Sequence, residues 1–329
     1  MTTYAEDGSI LYYGDGLYGE GPYSETEGQD YETSVVNKAL TPLPPPIFTG
    51  MKLQEDVVLG SLVLNVIDSN NVIWVCTEID GWWTLPDPQI PDIPRGWGDG
   101  SYEAEGRWTA RQLTLNGVIL PPEPEYLSTA RNTLVQAVSL VRQGAWLQTK
   151  ESPTRAAYVR LSGRPIIQTV NARGRTEFSI GLRAADPIKY SWNEDDVSGL
   201  GYASVSIPCK NASTGETGSA VINNVGNTDV TMFLEVDGPI TGDATIKNTT
   251  NSQTMTIVDS LASGELLEID TYKHEVAYEG VTLGARIFLD TLTDWLVLQP
   301  GNNTIVFEDE GNANSTANLT VYYRSGWIG

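Results

Sequence analysis

From Asn223 to Phe307 the chain runs NNVGNTDVTMFLEVDGPITGDATIKN, then LASGELLEIDTYKHEVAY, then LTDWLVLQPGNNTIVF. Apolar and polar residues alternate at period two, and Gly, Asn and Asp turns interrupt the pattern about every ten residues. That is the signature of half-buried antiparallel strands folded into a sandwich. No cluster of acids, bases, thiols or metal ligands accompanies the stretch. It predicts a segment built to pack, so function is to be sought in assembly before chemistry.

The 329 residues suffice for two domains with developed cores and an additional arm. A formal net charge of −22 disfavours non-specific attraction to nucleic acid or anionic membrane. An acidic wall can still face passing DNA, because it repels phosphates and keeps a strand from sticking. The charge is uneven: net −15 over residues 1–106, +7 over 107–189 and −14 over 190–329. A basic middle between acidic ends suits electrostatic complementarity between adjacent copies, or is simply a solvated basic face. Cys76 and Cys209 lie far apart and read as isolated buried thiols. The N-terminus lacks the charged and apolar regions of a signal peptide, and no apolar run approaches the roughly 20 residues that span a bilayer. No cofactor motif and no EF-hand-like spacing occurs.

Residues 1–46 divide into a Tyr-, Gly- and acid-rich arm and a proline linker. With Tyr12, Tyr13 and Tyr18 among its rings and few aliphatic residues, the arm is expected to be disordered or to dock extended on a neighbour. Pro42, Pro44, Pro45 and Pro46 predict a stiff connection. Val57–Asp68 and Asn71–Trp82 predict a hairpin, and the prolines between Trp83 and Arg95 predict a loop. A strand pattern resumes from about Ser101 to Leu120. One helix is predicted next, capped by Ser128 or Thr129, with Leu134, Val135, Val138, Val141 and Trp146 at helical spacing and Gly144 near its end. Two or three further strands follow, in which Arg155, Arg160, Arg164, Arg173, Arg175 and Arg183 alternate with apolar positions. Asn193–Gly201 reads as a boundary, giving a first domain over 47–195 and an all-β second domain over 196–329.

These pieces, in this order, resemble siphophage distal tail proteins from about Phe48 onward. The resemblance rests on the Gly98-Asp99-Gly100 turn, the strand ending RQLTLNGVI, the helix ending Gly144-Ala-Trp-Leu and the strand closing LRAADPIKYS. In the second half it rests on NVGNTDVTMFLEVDGPI, LASGELLEIDT, LTDWLVLQPGNNTIVF and the final VYYRSGWIG. It implies a mainly β chain: a tail-tube-like β-sandwich or split barrel with one helix, then a galectin-like antiparallel sandwich. It further implies a structural role without catalysis, in a hexameric ring at the tip of a non-contractile tail in the virion. The tail tube would lie above and tip or baseplate proteins below, with DNA passing through the lumen and assembly in the host cytoplasm. In that family a long loop at the position of Trp83 to Arg95 reaches the neighbouring subunit. The Tyr-rich arm before Pro42 has no counterpart in the family pattern.

Chemistry-bearing alternatives weigh less. His274 lacks the His, Asn, Arg, Trp and Glu set with which galectins read sugars, and reads as a strand histidine facing solvent or a packed contact. Trp295 reads as core. Asp195 and Asp196, and Glu308, Asp309 and Glu310, could suggest a glycosidase, but adjacent acids in Gly- and Asn-rich segments read as solvated turns. A single histidine leaves little room for a Ser-His-Asp triad. Trp82, Trp83, Arg95, Trp97 and Asp99, followed by Trp108, form the best interface candidate, since interfaces concentrate Trp and Arg and prolines lower the ordering cost of a docking loop. The tryptophans capping their own domain's core is the other reading. A tail tube or other minor tail protein, and a glycan-binding adhesin, are the rivals to the distal tail assignment.

Overall fold

Strand periodicity dominates the described chain. The computed structural model describes residues 57–170, 174–193, 201–283, 289–290 and 294–329, all within one compact unit. The tyrosine arm, the proline linker, Arg173 and residues 194–200 of the expected boundary lie outside the described residues. The fold is mainly β, in antiparallel sheets with one helix among the described residues and no closed barrel.

The first core lies between the helix and an open, branched sheet. Strand Arg111–Leu120 pairs with Ile73–Asp80 on one side and Arg175–Ala184 on the other. The latter leads through Arg155–Leu161 and Ala145–Thr149 to Val57–Leu59. Along Arg175–Ala184, Phe178, Ile180, Leu182 and Ala184 alternate inward, as period two requires. The helix Tyr126–Val141 closes this core with Ala130, Leu134, Ala137, Val138 and Val141.

Three local expectations are corrected. Val57–Asp68 is not one strand: Val57–Leu59 and Leu62–Leu64 fold on each other about Gly60 and Ser61, and only Val66–Ile67 pairs with Ile73–Asp80. Gly60 sits at φ +58°, a conformation that Cβ-bearing residues disfavour, and that permits the reversal. The helix starts at Tyr126, directly after the prolines, so Ser128 and Thr129 lie in its first turn and cap nothing. Val135 faces outward, and Trp146 belongs to the strand after the helix.

Gly144 makes that exit possible. Its φ is +113°, and a Cβ there would collide with the ring of Tyr158. Gly144→Ala is expected to destabilise the chain by roughly 1–3 kcal/mol. Urea unfolding reads the change, and an unaltered midpoint would mean that the turn and the tyrosine rearrange freely.

The second core is a sandwich. One layer orders as Ala203–Pro208, Asn318–Tyr323, Val230–Asp237, Leu266–Asp270, Glu275–Tyr278 and Val281–Leu283, and the other as Ser219–Asn224, Gly301–Asp309, Ala244–Asn248 and Gln253–Ile257. Met232, Leu234 and Val236 from the first meet Ile246, Ile305 and Phe307 from the second in one buried cluster. The expectation of half-buried strands with polar turns holds through this region. Buried asparagines stitch the turns: Asn224 Nδ2 donates to the carbonyls of Thr228 and Leu298 at 2.8 and 3.1 Å, and Asn248 Nδ2 to that of Val297 at 2.8 Å.

Candidate assembly interface

Between Asp80 and Arg111 the chain leaves the sheet. Two short ladders, Pro88–Gln89 with Arg107–Trp108 and Ile93–Pro94 with Ser101–Tyr102, hold the excursion as a narrow arm rather than the plain loop its prolines predict. Prolines fit here because such two-residue pairings need few backbone donors. The base is tied by Thr109, whose N–H donates to the Asp87 carbonyl at 2.9 Å. At the tip, the Arg95 N–H donates to the Gly100 carbonyl at 3.1 Å, closing a turn around Trp97 and Asp99. The Arg95 guanidinium lies 5.9 Å from the Tyr102 ring centre, and the Ser101 hydroxyl donates to Asp92.

The arm exposes apolar surface. Trp97 is 97% exposed, and Leu85, Ile90, Ile93, Tyr102 and Trp108 are exposed along the same excursion. A run of large exposed side chains on one projection marks an interaction surface more than isolated surface residues do. Its carboxylates, Asp87, Asp92, Asp99, Glu103 and Glu105, outnumber its arginines.

The tryptophans divide between the two expected readings. Trp82 is 1% exposed and belongs to the first core, its indole Nε1 donating to Glu151 at 2.6 Å, so it is a core residue and not the interface candidate expected of it. Trp83 stays largely open but forms one wall of a buried cluster of cations.

That cluster joins the two cores, and motif reading missed it. Arg111 is buried, donating through Nε to the Pro187 carbonyl at 3.0 Å and through Nη1 to those of Gly81 and Thr84 at 3.0 and 2.6 Å, and its Nη2 reaches the carbonyl of Ile328. Lys189, also buried, donates to the Trp82 carbonyl at 2.7 Å, with its ammonium 4.8 Å from the ring centres of both Trp82 and Trp83. Arg155 lies 4.5 Å from the Trp327 ring centre and 3.3 Å from Glu151. Burial, reinforced by Arg111 and Arg155 and opposed by Glu151, pushes the Lys189 ammonium down to about 8.

The final residues cross from one core to the other. Gly326–Trp327 pairs with Lys189–Ser191, and the Ile328 N–H donates to Asn227 Oδ1 at 2.9 Å. The Arg324 guanidinium lies 3.9, 4.6 and 5.8 Å from the ring centres of Tyr202, Trp146 and Trp192. Aromatic faces and carbonyls thus replace the water these cations lose. One sign of this was legible: Arg111 stands in phase with Leu113 and Leu115, on the inward face of its strand.

The arginine strands separate likewise. Arg155 belongs to the seam rather than to an outward basic face, and Arg175 pairs with Glu177 at 2.6 Å. Arg160 and Arg183 sit directly opposite each other across paired strands, both exposed, with Arg164 exposed in the following turn. Like charges directly opposite oppose pairing, and an anionic partner would relieve the repulsion. Arg173, Tyr12, Tyr13 and Tyr18 lie outside the described residues.

His274 sits in the turn between Leu266–Asp270 and Glu275–Tyr278 at φ +58°, exposed and not in a strand, stacked on Trp295 with ring centres 4.5 Å apart. Trp295 is accordingly a half-buried rim residue. Glu308 and Asp309 end a strand rather than lying in a loop, and hydrogen bonds from Lys210 and then Lys247 hold the Glu308 carboxyl below its usual range. That is the reverse of a general acid's requirement. Asp195 and Asp196 lie outside the described residues. Both cysteines are free, Cys209 buried and Cys76 half-buried.

Residues 225–327 match the family model of the siphovirus-type tail component, C-terminal domain. Among solved structures, the Dit protein of phage SPP1, described as a paradigm of the hub adsorption apparatus in phages infecting Gram-positive bacteria, matches with a TM-score of 0.56 at 12% identity, over 82% of this chain and 98% of that one. A chain of the phage P2 baseplate in its activated conformation with Ca matches with a TM-score of 0.40 at 10% identity, over 82% of this chain and 97% of that one. No curated protein matches the sequence. The SPP1 likeness shows a shared fold.

Proposed function

We propose, from the premise that this chain is a siphovirus-type tail component by the family to which residues 225–327 belong, that it is a distal tail protein whose copies close a hexameric ring. One observation carries the ring reading: a chain of this fold projects an arm of exposed large apolar side chains, with Trp97 at its tip, from an otherwise well-packed core. A copy that offers such an arm and accepts another's makes a heterologous contact, which closes on itself when the rotation fits.

In this reading residues 47–195 form the ring, joining the tail tube above to tip or baseplate proteins below. Residues 196–329 are the outward platform for those tip proteins. The role is structural, without catalysis, in the virion after assembly in the host cytoplasm. The lumen passes DNA without binding it specifically, because acidic residues facing it repel phosphate. The exposed Arg160, Arg164 and Arg183 meet acidic surface on the adjoining subunit.

Light scattering and negative-stain imaging of the purified chain test the ring. A closed annulus is the expected result; a monomer across the accessible concentration range removes the proposal, and an open-ended tube favours a tube protein instead. Arg160→Glu with Arg183→Glu is expected to weaken assembly at moderate salt by roughly tenfold or more while leaving unfolding unchanged. Undiminished assembly of that variant would separate these arginines from the interface.

A further inference from the structure

An arm that docks on another copy needs a seat there, and one groove among the described residues fits it. A groove of about 400 Å³ opens beside the C-terminal end of the helix. Leu140 and Ala137 form its helical wall, and Trp146, Tyr158 and Trp192 its aromatic floor. Leu140 and Tyr158 are exposed there, an apolar opening that the described residues leave uncovered.

Three features match this groove to the arm tip of a second copy. The first is size and chemistry: clefts of roughly 300–1,000 Å³ with apolar, aromatic walls take compact aromatic groups. The floor rings meet edge to face, Trp146 with Tyr158 at 5.3 Å and with Trp192 at 5.4 Å, with Arg324 over one face of Trp146, and edge-to-face sets of this kind accept a further ring. The second is charge. Among the described residues no acidic side chain lines the groove, Arg142 is exposed next to Val141 at its wall, and Arg160 shares a strand face with Tyr158. The arm tip brings Asp92 and Asp99 on either side of Trp97. The third is placement. The arm springs from Ile73–Asp80 and Arg111–Leu120, the groove from Val57–Leu59, Ala145–Thr149 and Arg155–Leu161, and Arg175–Ala184 stands between the two sets in the strand order. Donor and acceptor therefore occupy different parts of the sheet, as a head-to-tail contact requires.

We infer that Trp97 of one copy seats in the Trp146, Tyr158 and Trp192 groove of the next, with the carboxylates of the arm tip facing Arg142 and Arg160. The inference rests on the ring reading and adds the acceptor. Its test uses the full chain. Trp97→Cys and Leu140→Cys are made separately, mixed, and oxidised gently, the native thiols being buried or half-buried. A disulfide between the two introduced thiols, located by peptide mapping in a covalent dimer present only in the mixture, is the expected result. Leu140→Glu, at an exposed helix position, is expected to weaken self-association by roughly tenfold or more without moving the unfolding midpoint. If rings form and the mixed thiols do not link, or Leu140→Glu assembles normally, the seat is wrong while the ring stands. A chain that never oligomerises removes both. A link formed within one chain carrying both cysteines would overturn the inference in favour of an arm that folds back on its own groove.

Discussion

Arg111→Met is expected to lower the stability of the chain by about 3–5 kcal/mol, the largest loss at any single charged position. The buried guanidinium donates to the part-buried carbonyls of Gly81, Thr84, Pro187 and Ile328, which come from separate stretches of the chain. Methionine fills much of the volume and offers none of the donors, so four carbonyls that the guanidinium ties together lose their shared partner at once. Arg111→Lys should recover only part, because a compact ammonium cannot reproduce the planar fork. Denaturant unfolding followed separately by signals from each core adds a sharper expectation: the two transitions diverge, since the seam couples the cores. A shift below about 1 kcal/mol would show that Arg111 is tolerated in its burial and not required by it.

The second large effect is a dependence on pH, and its sign is unusual. Lys189 is held at about 8 in the folded chain against an ordinary 10.5. Below pH 8 the ammonium is charged in both states, and the folded chain bears the full cost of burying it beside Arg111 and Arg155. Between about 8 and 10.5 the unfolded chain binds the proton and the folded chain does not, so this group makes stability rise with pH, by on the order of 3 kcal/mol across the window. Burial pushes the Cys76 thiol up to about 11 from 9, which acts oppositely between those values. The difference between the parent chain and Lys189→Met cancels the cysteine and isolates the lysine. Urea unfolding from pH 7 to 10.5 should show that difference shifting toward the parent as pH rises. A flat difference would mean that Lys189 is solvated well enough to keep an ordinary affinity for its proton.

Much of the fold was legible because its determinants are local. The alternation in Val230–Asp237 and Gly301–Asp309 named the inward residues of the sandwich, and Leu134, Val138 and Val141 named the buried face of the helix. Errors arose where a single backbone conformation overrode the pattern. Gly60 turned an apparent strand into a hairpin, and Gly144 ended the helix before Trp146. The arm was half legible. Its prolines signalled an excursion, but composition could not separate Trp82, which turns into the core, from Trp97, which points out of it.

Side-chain period and turn chemistry act over a few residues, so the sequence by itself determined the strands, the helix, the all-β second half and an aromatic excursion at the end of the acidic first stretch. The seam and the groove were decided only in three dimensions. Arg111 and Ile328 meet across 217 positions of sequence, and the rings around Arg324 come from both cores. A lone arginine or lysine in a strand reads as a solvated charge until tertiary packing removes the water. Which carbonyls and aromatic faces then take the water's place is a property of how distant segments converge.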